Sequence, residues 1–238
     1  MFGAPMPTGG LPSSVDLEPN CPPVYDQGQL GSCTGNALAF AVQYERMRQN
    51  LTDAERVPSR LMIYYLEREI EGTINSDSGA QGYDGLTALQ QTGVCYEDGA
   101  DGWPYDPAQY AVRPPAACYA AAARDKVMLA YTVPQDINQM RACLAAGFPF
   151  CYGFTVYPDL DSDAVAQSGV LPMPAPSAQD IGGHEVVAVG HDDATRMFKV
   201  RNSWGPNWAQ RGYFWMPYEY LMRQDLASEM LTMRLVEA

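Results

Sequence analysis

Gln27-Gly28-Gln29-Leu30-Gly31-Ser32-Cys33 is the stretch on which the reading of this chain turns. It delivers a cysteine to the start of an apolar pattern, Ala37, Phe40, Ala41, Tyr44 and Met47, whose helical spacing predicts a buried amphipathic helix. Ser32 or Cys33 then stands at the helix N-terminus, where unpaired backbone N–H groups and the macrodipole favour an anion such as a thiolate. A lone cysteine is more often a small buried hydrophobe. The glycines at 28 and 31 argue otherwise, because they leave the backbone open to close approach by another molecule, which a packing role does not need.

Downstream, Ser59 is placed to cap a second helix carrying Leu61, Ile63, Tyr64, Leu66 and Ile70, with Gly72 as its end. Asp84 is placed to cap a short third helix running to Gly93. The character changes after a proline-rich stretch around Trp103, Pro104, Pro114 and Pro115. Strands are expected at Val127 to Val133, Phe148 to Val156, His184 to His191, Met197 to Asn202 and Phe214 to Met216. One helix, from about Gln135 to Ala145, interrupts them, opening behind Pro134 and closing at Gly147. The opening segment to Pro23 is rich in Pro, Gly and Ser without an apolar period and reads as an extended arm or loop. A helical half followed by a strand-rich half predicts an α+β protein, with a cleft between two lobes as the natural place for a site.

A thiolate at neutral pH needs a cationic neighbour, and the chain has two histidines. His184 follows Gly182 and Gly183 and opens the apolar run Val186 to Val189, so it stands at the mouth of a strand. His191 lies at the far end of that run beside Asp192 and Asp193 and reads as an exposed turn residue. In Arg201-Asn202-Ser203-Trp204-Gly205, Asn202 either caps a turn, the common fate of asparagine, or orients the His184 imidazole while Trp204 shields that bond from water.

The whole chain of 238 residues is long enough for one two-lobed domain, and its 47% hydrophobic and 18% charged content is that of a folded globular protein. A formal charge of -13 disfavours a broad nucleic-acid or anionic-membrane surface, since either needs clustered Lys and Arg. No segment is apolar enough to span a bilayer, and Met1 to Ser14 lacks a signal-peptide pattern, which points to the cytoplasm unless a leader has been removed. The cysteines at 21, 33, 95, 118, 143 and 151 form no CxxC pair, which with two histidines argues against a structural zinc site. If Cys33 is a free nucleophile, parity leaves at least one more cysteine unpaired.

Taken together, QGQLGSC, GGHEVVAVGHDD and VRNSWGPNWAQRGYF resemble, in order, the cysteine, histidine and asparagine blocks of papain-like cysteine peptidases. The resemblance runs from about Val24 to Val236, is strongest in those blocks, and includes Gly93-Val94-Cys95-Tyr96-Glu97 and Trp103-Pro104-Tyr105 in between. It is to a prokaryotic-type member without a typical propeptide. It implies a papain-like two-lobed fold, a helical lobe over about 24–120 and an antiparallel β-rich lobe over about 121–238, with the active-site cleft between them. Residues 1–23 would be an arm able to lie over that cleft.

The same resemblance implies that Cys33 attacks the scissile carbonyl, His184 exchanges the proton, Asn202 orients His184, and Gln27 with the Cys33 N–H donates to the oxyanion. It places Trp204, Trp208, Gly82, Tyr83, Gly183, Ser228 and Glu229 around the substrate. No metal or organic cofactor is implied; the expected partners are polypeptides, with no nucleic acid, no membrane and a monomeric enzyme. Departures from the family pattern are specific. Leu30 stands where many members carry a cysteine that ties down the active-site loop, Thr34 replaces the usual aromatic residue, and Gly183 replaces an aspartate found in plant members. The glycines that bind substrate backbone align loosely, with Gly82-Tyr83 or Gly85. A serine at the floor of the main specificity pocket leaves it apolar, whereas a buried glutamate accepts arginine, so the choice between Ser228 and Glu229 sets preference. Besides an endopeptidase working through a thioester, the residues allow an acyl transferase or peptide ligase on the same site, or a silent papain-like binding module.

Overall fold

A computed structural model describes residues 10 to 235. These residues form two compact units: one contains Gln27–Ala130 with residues 233–235, the other residues 10–26 together with Tyr131–Thr232.

The first unit is helical. Helix α1 spans Cys33–Arg48, α2 Arg60–Glu71, α3 Gly82–Gln91 and the short α4 Ala116–Ala122. Ser59 caps α2 as expected, its Oγ accepting from the Met62 N–H at 3.1 Å, and Gly72 ends the helix in the left-handed conformation with φ 73°. The third helix begins three residues earlier than its sequence suggests: Gln81 is its N-cap, and Asp84 lies inside the first turn, where a carboxylate suits the dipole. The expected stripe on α1 is a correction too. Every residue from Thr34 to Glu45 is buried, so the helix is enclosed on all sides rather than amphipathic, and Met47 is only half-buried. Its buried polar residues carry their own partners, among them Thr34 Oγ1 donating to Glu67 at 2.7 Å and Gln43 Nε2 donating to the Glu55 carbonyl at 2.9 Å. A disulfide joins Cys95 to Cys118 on α4, within a cluster formed by Met62, Tyr65, Leu66, Ala88 and Ala122.

The second unit is a twisted antiparallel sheet with short helices. Its strands are β1 Ser14–Asp16, β2 Leu129–Thr132, β3 Phe150–Val156, β4 Gly182–Asp192, β5 Met197–Arg201, β6 Tyr213–Pro217 and β7 Ala227–Arg234; the helices are α5 Ile137–Ala145, α6 Asp163–Ser168 and α7 Tyr218–Met222. The strand order is β2-β7-β3-β4-β5-β6, and β1 lies against β4. Phe150, Tyr152, Phe198, Phe214 and Tyr220 are fully buried and form the aromatic core. They come from strands β3, β5 and β6 and helix α7, which is how strands with two-residue periodicity fill one face.

Within the segment expected to be an extended arm or loop, residues 14 to 16 form a strand, pairing with Gly190 to Asp192 beyond the point where β3 stops. Lys199 then reaches Asp16 at 2.8 Å and also Glu18, while buried Arg201 donates to the carbonyls of Pro22, at 2.7 Å, and Pro23. Covered by this strand, His191 is buried, not an exposed turn residue, and its Nδ1 lies 3.2 Å from the Tyr218 hydroxyl. The part of the expected arm before residue 10 lies outside the described residues. Truncation to Asn20 would remove this strand and both acidic partners of Lys199.

Between the helices lies the fully buried carboxyl of Glu67, whose pKa is pushed up to about 8, chiefly by loss of hydration and against the lowering effect of the Thr34 hydroxyl. Gly85 exists to make room for it: an added Cβ would sit 2.2 Å from Glu67 Oε1 and 2.3 Å from Leu38 Cδ1. That glycine is thus a packing residue. A carboxyl whose folded pKa lies above its unfolded one costs nothing below the unfolded value and destabilises increasingly as pH rises toward the folded value. Glu67→Gln, which keeps an acceptor for Thr34 without the charge, should gain on the wild type by on the order of 3 kcal/mol between about pH 5 and neutrality. Thermal melts across that range check this; a difference independent of pH contradicts it. Cys118→Ala should lower unfolding stability by about 3 kcal/mol, with chemical reduction destabilising the wild type but leaving the variant unchanged in urea titrations.

Candidate active site

In the helical unit, Cys33 is the first residue of α1 and half-buried. Ser32 occupies the N-cap position but makes no side-chain cap, because its Oγ lies 2.5 Å from the Tyr105 hydroxyl. Tyr105 donates its own proton to the Gln27 carbonyl at 2.9 Å, so Ser32 is the donor in that contact. Asn36, one turn into the helix, donates to the Ser32 carbonyl at 2.9 Å and to its Oγ at 3.1 Å. Behind Asn36, Arg60 donates to its Oδ1 at 3.1 Å, holds Glu97 at 2.6 Å and lies over the Tyr105 ring at 4.0 Å. The result is a directed chain, Arg60 to Asn36 to Ser32 to Tyr105 to Gln27, running through both ends of the loop before Cys33. Within the loop the Gln27 side chain is buried, and its Nε2 donates to the Leu30 carbonyl at 3.0 Å, which fixes the plane of the amide.

The three other thiols are worse placed for nucleophilic chemistry. Cys143 and Cys151 are buried, and burial raises the Cys151 thiol well above its ordinary range. Loss of hydration pushes Cys21 up to about 11 while it donates to the Leu17 carbonyl. Cys33 alone of the four sits on a helix N-terminus, where the dipole favours the thiolate.

In the sheet unit, His184 stands on β4 directly opposite Phe154 of β3. Its Nε2 lies 2.8 Å from Asn202 Oδ1, just beyond the end of β5. That oxygen also accepts the Ser203 backbone N–H at 2.8 Å, which identifies the atom as the amide oxygen and therefore puts the histidine proton on Nε2. Nδ1 is then the basic nitrogen of the ring. The Trp204 ring lies 5.1 Å from the imidazole, Trp208 meets Trp204 edge-on at 5.0 Å, and Phe154 meets His184 edge-on at 5.9 Å. Aromatic surface thus encloses the His184–Asn202 bond. Burial lowers the His184 pKa, and the Asn202 bond works against that by favouring the protonated ring.

The other expected site residues fall as follows. Gly183 is exposed, one residue before His184, and pairs with Thr155. Ser228 on β7 is exposed and faces Gly153, and Glu229 sits at a break in the β3–β7 register with φ 56°. Gly82 and Tyr83 open α3, with Gly82 buried and Tyr83 44% exposed. Among the described residues there is no cluster of His, Cys, Asp or Glu that could hold a metal, and no helix long and apolar enough to cross a membrane. Sequence reasoning missed Asn36, Arg60 and Tyr105 as supports of the loop. Tyr105 alone carried a signal, in the Trp-Pro-Tyr run.

A family model described as papain family cysteine protease matches residues 11–233. An uncharacterized peptidase C1-like protein of Acanthamoeba polyphaga mimivirus is 40% identical over 212 residues, covering 86% of this chain and 67% of its own length. Cathepsin B-like CP3 of Giardia intestinalis is 28% identical over 221 residues, 85% of this chain and 68% of its own length. Among solved structures, xylellain, a cysteine protease from Xylella fastidiosa, superposes with a TM-score of 0.86 at 42% identity, over 96% of this chain and 88% of its own. The helical unit, the antiparallel sheet and the match along almost the whole chain agree: this protein belongs to the papain family of cysteine proteases and has the papain-like α+β two-lobed fold.

Proposed function

We propose that this cysteine peptidase cleaves polypeptides internally, as a monomer, with Cys33 as nucleophile, His184 as acid and base, Asn202 as the residue that orients His184, and Gln27 as an oxyanion donor. His184 Nδ1 takes the Cys33 proton, and the thiolate adds to the scissile carbonyl. The oxygen that gains charge accepts from the Gln27 side chain and the Cys33 backbone N–H. The imidazolium then gives its proton to the departing amine, leaving a thioester. Water, deprotonated by His184, attacks the thioester and releases the carboxylic acid and the thiol.

One observation carries this assignment. Asn202 Oδ1 receives two donors, from Ser203 and from His184 Nε2, so the ring is held in the tautomer that presents Nδ1 as a base. The placement of Cys33 on the α1 N-terminus supports the same reading from the nucleophile's side. Trp204 and Trp208 would keep water from the Asn202 bond, and Trp208, Gly82, Tyr83, Gly183, Ser228 and Glu229 would contact substrate.

Treatment with an epoxide inhibitor of papain-like peptidases should modify Cys33 alone by mass spectrometry, and Cys33→Ala should lower hydrolysis of a fluorogenic dipeptide by about 10⁴-fold or more. Labelling at another cysteine would refute the assignment. A nucleophilic amine added to the assay separates hydrolysis from acyl transfer by its products. Asn202→Ala removes the acceptor that favours protonated His184, so the His184 pKa should fall further below its ordinary value. With two histidines in the chain, an NMR titration reads this directly, and an unchanged His184 pKa would count against the orienting role.

A further inference from the structure

The loop before Cys33 is gripped at a point that the roles above do not use. The Gly31 backbone N–H donates to the Asp77 carboxylate, at 3.0 Å to Oδ1 and 3.1 Å to Oδ2. The same Oδ1 accepts the Tyr64 hydroxyl at 2.5 Å, and that hydroxyl in turn accepts the Gly79 N–H at 3.2 Å. Tyr64 is fully buried on α2. One turn along that helix, the buried Arg68 guanidinium lies over the Tyr64 ring at 3.9 Å and donates to the carbonyls of Ile74, at 2.7 Å, and Ser76, at 3.1 Å. The segment that carries Asp77 is therefore moored to α2 on both sides of it. Gly31 leaves no room for a side chain, since an added Cβ would stand 2.9 Å from Asp77 Oδ1.

The N–H of Gly31 and the C=O of Leu30 are two ends of one planar peptide group. Its oxygen is the acceptor for Gln27 Nε2 at 3.0 Å and for the Ser32 N–H at 2.8 Å. A carboxylate on the N–H end does two things to this group. It fixes the orientation of the plane, and it polarises the peptide so that its oxygen becomes a better acceptor. Leu30 brings no cysteine to tie down the loop, so this ionic hydrogen bond is what holds the plane from the side of the 73–81 segment.

We infer that Asp77 is a positioning residue, which through the Leu30–Gly31 peptide aims the Gln27 amide at the oxyanion. The inference rests on the role assigned to Gln27 above. Asp77 acts here through the Gly31 N–H, so its loss acts on the transition state and spares ground-state binding.

A double-mutant cycle on dipeptide hydrolysis tests this. Asp77→Ala should lower kcat by about 10-fold with KM within about twofold of wild type, less than the full loss of an oxyanion donor. Asp77→Asn, which keeps one acceptor oxygen for Gly31, should recover most of the rate. Alkylation of Cys33 by iodoacetamide, which forms no oxyanion, should proceed at the wild-type rate in Asp77→Ala. In a Gln27→Ala background, Asp77→Ala should cost almost nothing further, because there is no amide left to aim. If it costs as much there as in wild type, or if Cys33 alkylation slows in parallel with kcat, Asp77 merely stabilises the loop and the inference falls while the role of Gln27 stands. If Gln27→Ala alone hydrolyses at the wild-type rate, the oxyanion assignment fails and takes this inference with it.

Discussion

Helix α1 leaves its first residue half-buried while burying nearly everything after it, and most of the helical unit answers to that constraint. A helix enclosed from Thr34 to Glu45 has no soft side on which to shift, so Cys33 is placed by the whole packing of α2 and α3 around it. The cost is that side chains of both kinds must be accommodated inside. Thr34, Asn36, Gln43 and Glu45 are buried there, and hydrogen bonds reach each of them from another element or from the next turn. The N-terminus itself stays without a side-chain cap because Ser32 is drawn off by Tyr105, which leaves the helix end as a positive pole beside the thiol.

Buried arginines do a second kind of work. Arg68 and Arg201 are almost completely enclosed, and each spends its fork on backbone carbonyls: Ile74, Ser76 and Tyr110 for Arg68, Pro22 and Pro23 for Arg201. A guanidinium is suited to this because its five donors are fixed in a plane and stay charged. In both units the effect is to hold irregular backbone that has no ladder of its own. A lysine at either place would supply one rotatable head and lose the parallel contacts.

Much of this was legible in the sequence because it is local. Ser59, Gly72, the strand from His184 to His191 and the helix closing at Gly147 are set by neighbours a few residues away, and the three ordered motif blocks carried the family. What escaped depends on partners far along the chain. Small residues such as Ala37 and Ala41 make α1 look weakly amphipathic, and nothing near Asn36 announces that Arg60 will reach it. His191 sits beside two aspartates and reads as solvent-facing until β1 is laid over it. The pairing of Cys95 with Cys118 and the contact of Asp77 with Gly31 are likewise settled by topology, not by spacing.

The pairing of β1 with β4 also bears on how the protein is made. Ser14 to Asp16 are synthesised well before their ladder partners, Gly190 to Asp192, and their ionic anchor, Lys199. During vectorial synthesis this short strand has no ladder partner until β4 has been made. The helical segment Gln27–Ala130, which makes up most of one compact unit, precedes β4 entirely in the chain and can condense before β4 exists. β1 is thus made before β4 and docked only after it, so this pairing is a late event in folding.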